Sequence, residues 1–336
     1  MKTENILSIN ENPDRKKWDD FVYQHPFVNI FQTTCMFDVY KSTPHCTAGV
    51  IALEDGFKNI LGLMVYSVIQ EPGIKSHFSK RAIITGGPLI TDNNPDYSKA
   101  LLSSYKKIIK KTNTIYSELR NLYDITALRP ALEKENFVYE DHLTIHMDLT
   151  QSVEALEKAL HRGRASNIKR AVKKNVTVQD VSSPQELDDV YRLIKDTYER
   201  IGLPSPSPEL FINTAKFMKE KVRFIAAFLD GKMIGCRVYL IYKDFLYDWY
   251  AAGDREYSGY HPSDLLPWKG MLSAKENGVK IYDFAGAGKP NKEYSVRDYK
   301  LKFGGFLLNL GRYQCIHKPL LFRVGVLEMK VYKYVR

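Results

Sequence analysis

Val222-Arg223-Phe224-Ile225-Ala226-Ala227-Phe228, Asp230-Gly231, then Met233-Ile234-Gly235-Cys236-Arg237-Val238-Tyr239-Leu240: two apolar runs meet at a two-residue turn. Asp-Gly in that position signals a β-hairpin, because glycine supplies the positive φ that the turn demands. The same grammar stands earlier, where residues 48–53 and 60–66 flank Asp55-Gly56. Each hairpin is followed by an amphipathic helix and one more strand. In the first half Leu101, Leu102, Tyr105, Ile108 and Ile109 make a helical stripe. Lys106, Lys107, Lys110 and Lys111 back it as a solvated face, and the strand 115–119 follows. In the second half a helix capped by Ser263 carries Leu265, Trp268 and Leu272 inward. It stops at Asn277-Gly278, a C-cap signature, and leads into the strand 279–284. Helical material also opens both halves, at 18–23 and 187–199. Two copies of one mixed α/β (α+β) unit are expected.

A chain of 336 residues exceeds what one core usually reaches. The predicted domains are 1–150, completed by the tail 312–336, and 151–311, with 154–174 as a linking helix. The tail carries a helical stripe in Leu320, Val324, Leu327 and Val331. Hydrophobic residues at 44% and charged residues at 26% are ordinary for globular proteins and exclude disordered or collagen-like classes. Met1-Lys2-Thr3-Glu4-Asn5 lacks the apolar core of a signal peptide, and no apolar run approaches the roughly 20 residues that span a bilayer. A cytoplasmic protein without transmembrane segments is expected. Cys35, Cys46, Cys236 and Cys315 are scattered, which suits small core residues rather than a zinc cluster or disulfide framework. The histidines show no ligand spacing, so no metal site is expected. A net charge of +10 favours a polyanionic partner such as RNA, a nucleotide-linked precursor or an anionic membrane face.

The order hairpin, helix, strand is that of the GNAT-like acyltransferase fold, in which a splayed sheet opens a cleft for an acyl donor. Ordered motifs narrow the resemblance. They are Ile30-Phe31-Gln32-Thr33, Gly86-Gly87-Pro88-Leu89, 164–171 with Asn175-Val176, and Thr197-Tyr198-Glu199-Arg200. Tyr282-Asp283-Phe284-Ala285-Gly286 and Tyr299-Lys300-Leu301-Lys302-Phe303-Gly304 complete the set. Over nearly its whole length the chain resembles the Fem-type aminoacyltransferases, which add bridging amino acids to peptidoglycan precursors, and their GNAT-type relatives. The resemblance implies two tandem GNAT-like domains, an acceptor held by the first and a donor by the second. It implies no permanently bound cofactor, with aminoacyl-tRNA or acyl-CoA as co-substrate. The acceptor is a murein or surface-polysaccharide precursor, reached through peripheral contact with the inner membrane face. Two departures stand out. Glu118-Leu119-Arg120-Asn121 replaces the basic-x-Asp-Pro expected there, and Ser205-Pro206-Ser207-Pro208 leaves no room for a coiled-coil arm.

Aminolysis needs a neutral amine, alignment and a partner for the tetrahedral oxyanion, but no covalent enzyme nucleophile. Lys300 is the candidate oxyanion partner, positioned by Tyr299 and Phe303, with Lys302 one strand step on as its understudy. Asp283 either accepts the amine proton or stabilises the glycine turn after it. Tyr247, Trp249 and Tyr250 alternate along a strand, one set for the core and the other for stacking on a substrate ring. Arg200 is a candidate for an acceptor phosphate or carboxylate, and Gln32 and Arg120 fall in motifs expected to touch the acceptor. Arg164, Lys169, Arg170 and Lys173 make a basic helical stripe, either for RNA or precursor phosphates or as a solvated face. Residues 255–262 keep one glycine of a coenzyme A pyrophosphate loop but place Tyr260 and Pro262 where a small residue and a donor N–H are needed, which tilts the donor toward aminoacyl-tRNA. The alternatives are an acyl-CoA-dependent N-acyltransferase and a catalytically silent protein that binds RNA or anionic lipid.

Overall fold

The computed structural model describes residues 7–73 and 76–334, with side chains left out at 76–77 and 327–334. The polar start 1–5 and the side chains of Leu327 and Val331 therefore lie outside the described residues. The chain divides into two compact units, 1–141 with 310–336, and 142–309. The expected break at Thr150 falls instead between Asp141 and His142, because the strand 143–148 pairs within the second sheet.

In the first unit the sheet runs β1 (Ser8–Asn10), β2 (Cys46–Glu54), β3 (Ile60–Ile69), β4 (Arg81–Thr85), β6 (Tyr116–Arg120), β15 (Arg312–Ile316), β7 (Val138–Glu140), with β5 (Leu89–Ile90) on β3. Its β2–β3 connection is not the two-residue turn expected. Asp55 N–H bonds to Asn59 O across a longer loop, and Lys58 rather than Gly56 takes the positive φ. The Asp55 carboxylate accepts from Phe57 N and from Asn59, which holds the loop without a tight turn. Helix Pro95–Lys110 buries Leu101, Leu102, Tyr105 and Ile109 against this sheet, as the stripe predicts. Helix Pro319–Tyr334 leaves Leu320 exposed and sets Phe322 against Tyr116.

A buried amide stands between two of these strands. β3 pairs with β4 only from Ser67↔Ile83 onward. Two positions further along that register, at Val65 and Thr85, the side chain of Gln32 stands in for the missing bonds. Its Nε2 donates to Val65 O and Thr85 O, and its Oε1 accepts from Val65 N. A Cβ at Gly87 would lie 2.7 Å from that amide, so the Gln32 and Gly86-Gly87 motifs are one packing arrangement. Gln32 is fully buried on the protein's own backbone, which is a structural placement for a residue expected to meet the acceptor.

In the second unit the order is β14 (Phe306–Asn309), β8 (Leu143–Asp148), β13 (Ile281–Gly286), β12 (Phe245–Gly253), β11 (Lys232–Tyr242), β10 (Val222–Leu229), β9 (Thr177–Asp180). The opening hairpin forms as read, with Asp230 and Gly231 both at positive φ. Alternation then sorts the faces. Ile225 and Ala227 join Leu265, Trp268 and Met271 of helix Pro262–Glu276 and Ile168 of helix Arg162–Lys173. Phe224, Ala226, Cys236 and Val238 pack on Val190, Leu193 and Phe211 of helices Pro184–Arg200 and Pro208–Met218. The linking helix is broken in two, Val153–Ala159 and Arg162–Lys173, with His161 Nδ1 capping the second through Gly163 N. Helix Pro262–Glu276 begins at His261 in the left-handed region, one turn corner earlier than the Ser263 cap expected. Cys236 and Cys315 are buried, and Cys35 and Cys46 half-buried, all as free thiols. Among the described residues no helix is long and apolar enough to cross a membrane.

Gln32→Ala removes three hydrogen bonds and strands buried backbone groups in β3 and β4. At about 1–3 kcal/mol for an unsatisfied buried group, urea unfolding should show a loss of about 3 kcal/mol or more.

Candidate functional site

The second sheet comes apart at one place. Parallel pairing of β12 with β13 covers Phe245↔Ile281, Leu246↔Tyr282 and Tyr247↔Asp283, and stops. β12 continues along β11 to Gly253, while β13 continues along β8. A bulge at Trp249, between the partners of Val238 and Tyr239, bends β12 further. The polar groups of the protein's own sequence fill the opening.

Arg237 of β11 and Asp248 of β12 form a buried ion pair, exposed at 5% and 6%. Arg237 Nη2 also donates to Tyr299 Oη at 3.0 Å, and Tyr282 Oη donates to Asp248 Oδ2 at 3.0 Å. Burial opposes the charge on Arg237, yet Asp248 and the surrounding phenols hold its pKa well above the ordinary value. Burial pushes the Asp248 carboxyl up, against the pull of Arg237, Lys300 and Tyr282. Tyr299 Oη donates a hydrogen bond to Ser263 O, and the Arg164 guanidinium lies over the rings of Tyr299 and Phe303 at 4.4 and 5.0 Å.

Residues 299–305 are a helix end rather than a strand. Helix Ser295–Leu301 puts Tyr299 and Lys300 on adjacent sides of its last turn. Lys302 is the cap residue, exposed, its carbonyl accepting from His161 N, so it does not share a face with Lys300. Phe303 is fully buried against Phe284 and Tyr299. Gly304 turns at φ +95°, where a Cβ would meet Ala159 at 2.6 Å.

Lys300 reaches the opened edge of β13. Beyond Asp283 that strand has no β12 partner, and the carbonyls of Phe284 and Gly286 accept from Lys300 Nζ at 2.6 and 2.8 Å. Burial lowers the Lys300 pKa, Asp248 and Asp283 pull it up, Arg237 pushes it down, and the outcome is about 8. The group is thus an ammonium at neutral pH, held by two carbonyls and close to losing its proton.

Asp283 takes the turn-stabilising alternative. Its Oδ1 accepts from Thr144 Oγ1 and from the N–H of Ala285, which sits at φ +57°, and its Oδ2 faces His146 at 3.6 Å. Burial alone would raise its pKa, but His146, Thr144 and Ala285 N–H keep it below the usual carboxylate value. A carboxylate so engaged is a poor proton acceptor.

The remaining candidates are spread out. Tyr247 is buried and stacks on Phe245. The bulge breaks strand alternation, so Trp249 and Tyr250 both join the cluster around Phe211. Arg200 is exposed at the end of its helix, bonded to Thr197 Oγ1 at 3.4 Å. Arg120, in the first unit, bonds Glu118 Oε1 at 2.5 Å. Lys169, Arg170 and Lys173 are exposed on helix Arg162–Lys173, with Lys169 edging a groove of about 650 Å³ floored by Leu160, Ile168 and Trp268. Arg164, expected in the same stripe, points the other way, half-buried and paired with Asp264.

Asp264 was not singled out, and its position is informative. It lies in the first turn of helix Pro262–Glu276, where anions are favoured. Its carboxylate is 3% exposed, pairs with Arg164, accepts from Asn167 Nδ2 at 3.0 Å and faces His261 Nδ1 at 3.7 Å. Pro262 has no N–H, and the N–H groups of Asp264 and Leu265 both go to His261 O. The Arg237–Asp248 pair was also missed, though a charge inside each of two apolar strand runs is a readable sign of buried pairing.

Residues 162–300 match the family of acetyltransferase (GNAT) domains. The chain carries a GNAT-type domain over that segment. Its fold is that of Fem-type proteins in tandem GNAT arrangement. The crystal structure of FemX superposes with a TM-score of 0.72 at 17% identity, covering 94% of this chain and 99% of that one. A tandem GNAT protein from the clavulanic acid biosynthesis pathway gives 0.61 at 9%, covering 93% and 98%. The C-terminal domain of a candidate lysylphosphatidylglycerol synthetase from Agrobacterium fabrum gives 0.59 at 13%, covering 94% and 95%. No curated protein matches the sequence. Within the GNAT domain the parting of β12 from β13 is the splay expected of the fold, and Lys300 stands at its edge.

Arg237→Met strands the Asp248 charge in the interior, which should cost about 3–5 kcal/mol in urea unfolding. Adding Asp248→Leu should restore most of that loss. A single variant as stable as the parent would show that the pair is not what holds the splay.

Proposed function

We propose that the protein transfers an aminoacyl group from aminoacyl-tRNA to an amine of a cell-envelope precursor, in the cytoplasm. The observation that carries the donor is Asp264. Acyl-CoA binding at this fold position relies on free N–H groups and the helix dipole to hold a pyrophosphate. Here a buried carboxylate, countered by Arg164, occupies the first turn, and two of its N–H groups are already bonded to His261 O. A pyrophosphate entering there would meet a fixed negative charge. Exposed Lys169, Arg170 and Lys173 are available to tRNA phosphates. The likeness to FemX and to a lysylphosphatidylglycerol synthetase domain supports an envelope acceptor.

In this reading the acceptor amine attacks the ester carbonyl of the charged tRNA. An ammonium has three hydrogens. Phe284 O and Gly286 O take two from Lys300, and the third goes to the oxyanion as it forms. Collapse breaks the ester C–O bond, and the amine's proton leaves on the ribose oxygen. Asp283, bonded within its turn, takes no part in proton transfer. A second reading keeps this chemistry with acyl-CoA as donor, and the match of residues 162–300 to acetyltransferase domains favours it.

Lys300→Ala should lower kcat about 10²–10³-fold, the usual loss for one oxyanion donor. In the parent, kcat should fall as pH rises through about 8, because the ammonium then loses the proton it donates. Transfer at the parental rate by Lys300→Ala would remove this residue from the mechanism. The donor is decided by incubating the protein with charged tRNA and, separately, acyl-CoAs, against an extract of envelope precursors, with products followed by mass. Products from charged tRNA alone are expected. Products from acyl-CoA alone, with tight coenzyme A binding by calorimetry, would replace this reading with the second.

A further inference from the structure

Lys106 lies among lysines expected on a solvated helix face, but it turns inward. Its Nζ donates to Glu135 O at 2.7 Å and stands 2.7 Å from Cys315 Sγ. That is the length of a short N–H···O bond, and sulfur is a larger atom than oxygen. Nitrogen and sulfur at this separation are as far apart as two atoms joined through one intervening oxygen. We propose that Lys106 and Cys315 are a covalent modification site that takes dioxygen and closes a Nζ–O–Sγ bridge between them.

The surroundings suit that chemistry. Cys315 is 1% exposed, too buried to serve a substrate as nucleophile. His317 Nδ1 is 3.8 Å from the sulfur, and its Nε2 is 2.7 Å from Ser117 Oγ, itself 2.6 Å from Tyr105 Oη. Burial, then Lys106 and Lys110, push the His317 pKa down to about 4, so the ring beside the sulfur is neutral. The Glu135 carbonyl holds both reacting groups, with Sγ 3.6 Å away. In the reaction the amine loses one hydrogen and the thiol its only one, and N–O and O–S bonds form as the O–O bond breaks. Nitrogen and sulfur together give up four electrons to dioxygen. One oxygen atom enters the bridge and the other leaves as water. Two dithiol equivalents reverse it. The bridge would tie helix Pro95–Lys110 to β15, which reaches the first sheet 209 positions later in the chain.

The full chain is purified in air and, in parallel, under anaerobic reductant, then digested without reduction and mapped by tandem mass spectrometry. In the aerobic sample we expect a linked peptide pair joining Lys106 to Cys315. Its mass is the sum of the two peptides plus one oxygen less two hydrogens, and dithiothreitol removes it. Closing so long a loop should raise the melting temperature of the aerobic protein by more than about 5 °C over the reduced one. Lys106→Arg, which keeps the charge and cannot form the bridge, should abolish both differences. Peptide mapping of the parent needs no variant to fold. Recovery of Cys315 from aerobic protein as a free thiol, or as a sulfenic or sulfinic acid unlinked to Lys106, would overturn the proposal.

Discussion

Parallel pairing between β12 and β13 lasts for three residue pairs, and everything at the candidate site follows from its ending. A sheet that parts in its interior leaves edge carbonyls and a polar gap where water is scarce, and such groups must be satisfied from within. Arg237, Asp248, Tyr282 and Tyr299 do so from the strands and one helix end. Lys300 does so at the edge of β13. The same desolvation that makes the gap expensive brings Lys300 to a pKa of about 8. Structural demand and chemical readiness have one cause here.

The first unit meets a related problem and closes it. Where β3 leaves β4, the Gln32 amide supplies the missing hydrogen bonds, and β4 stays in continuous parallel register with β6 from Arg81↔Tyr116 to Thr85↔Arg120. The two units thus share an order of elements but not a splay between their parallel strands. Duplication of the fold did not carry duplication of the site.

Hairpins, helical stripes and C-caps were legible because each depends on neighbours in the chain. The 222–240 hairpin and the stripe Leu101–Ile109 needed only periodicity and an Asp-Gly turn. Features that depend on partners far along the chain were not. Asp55-Gly56 looks like the second turn, yet the Asp55 carboxylate sustains a longer loop by bonds to Asn59. Tyr299-Lys300-Leu301-Lys302 alternates like a strand, but it forms the last turn of a helix whose outlet is fixed by Gly304 against Ala159. Lys106 repeats with the other lysines of its helix, and only a strand arriving two hundred residues later gives it a buried partner. Arg164 belongs by spacing to a basic stripe, and Asp264, a hundred positions on, turns it inward.

That last pair bears on how a donor is chosen. A helix N-terminus is an anion site by default, since its dipole and free N–H groups attract negative charge whatever its source. A protein can leave that potential for a ligand or spend it on a residue of its own. Asp264 does the second, and Arg164 and Asn167 neutralise and fix the carboxylate. If that reading of the donor holds, removing the carboxylate would uncover a site with Arg164 already in place, and the preference against a pyrophosphate would reside in one side chain rather than in the fold. On the proposed reading, a change of donor within this architecture needs no rearrangement of β12, β13 or Lys300, because the group that performs the chemistry and the group that screens the donor sit on different helices.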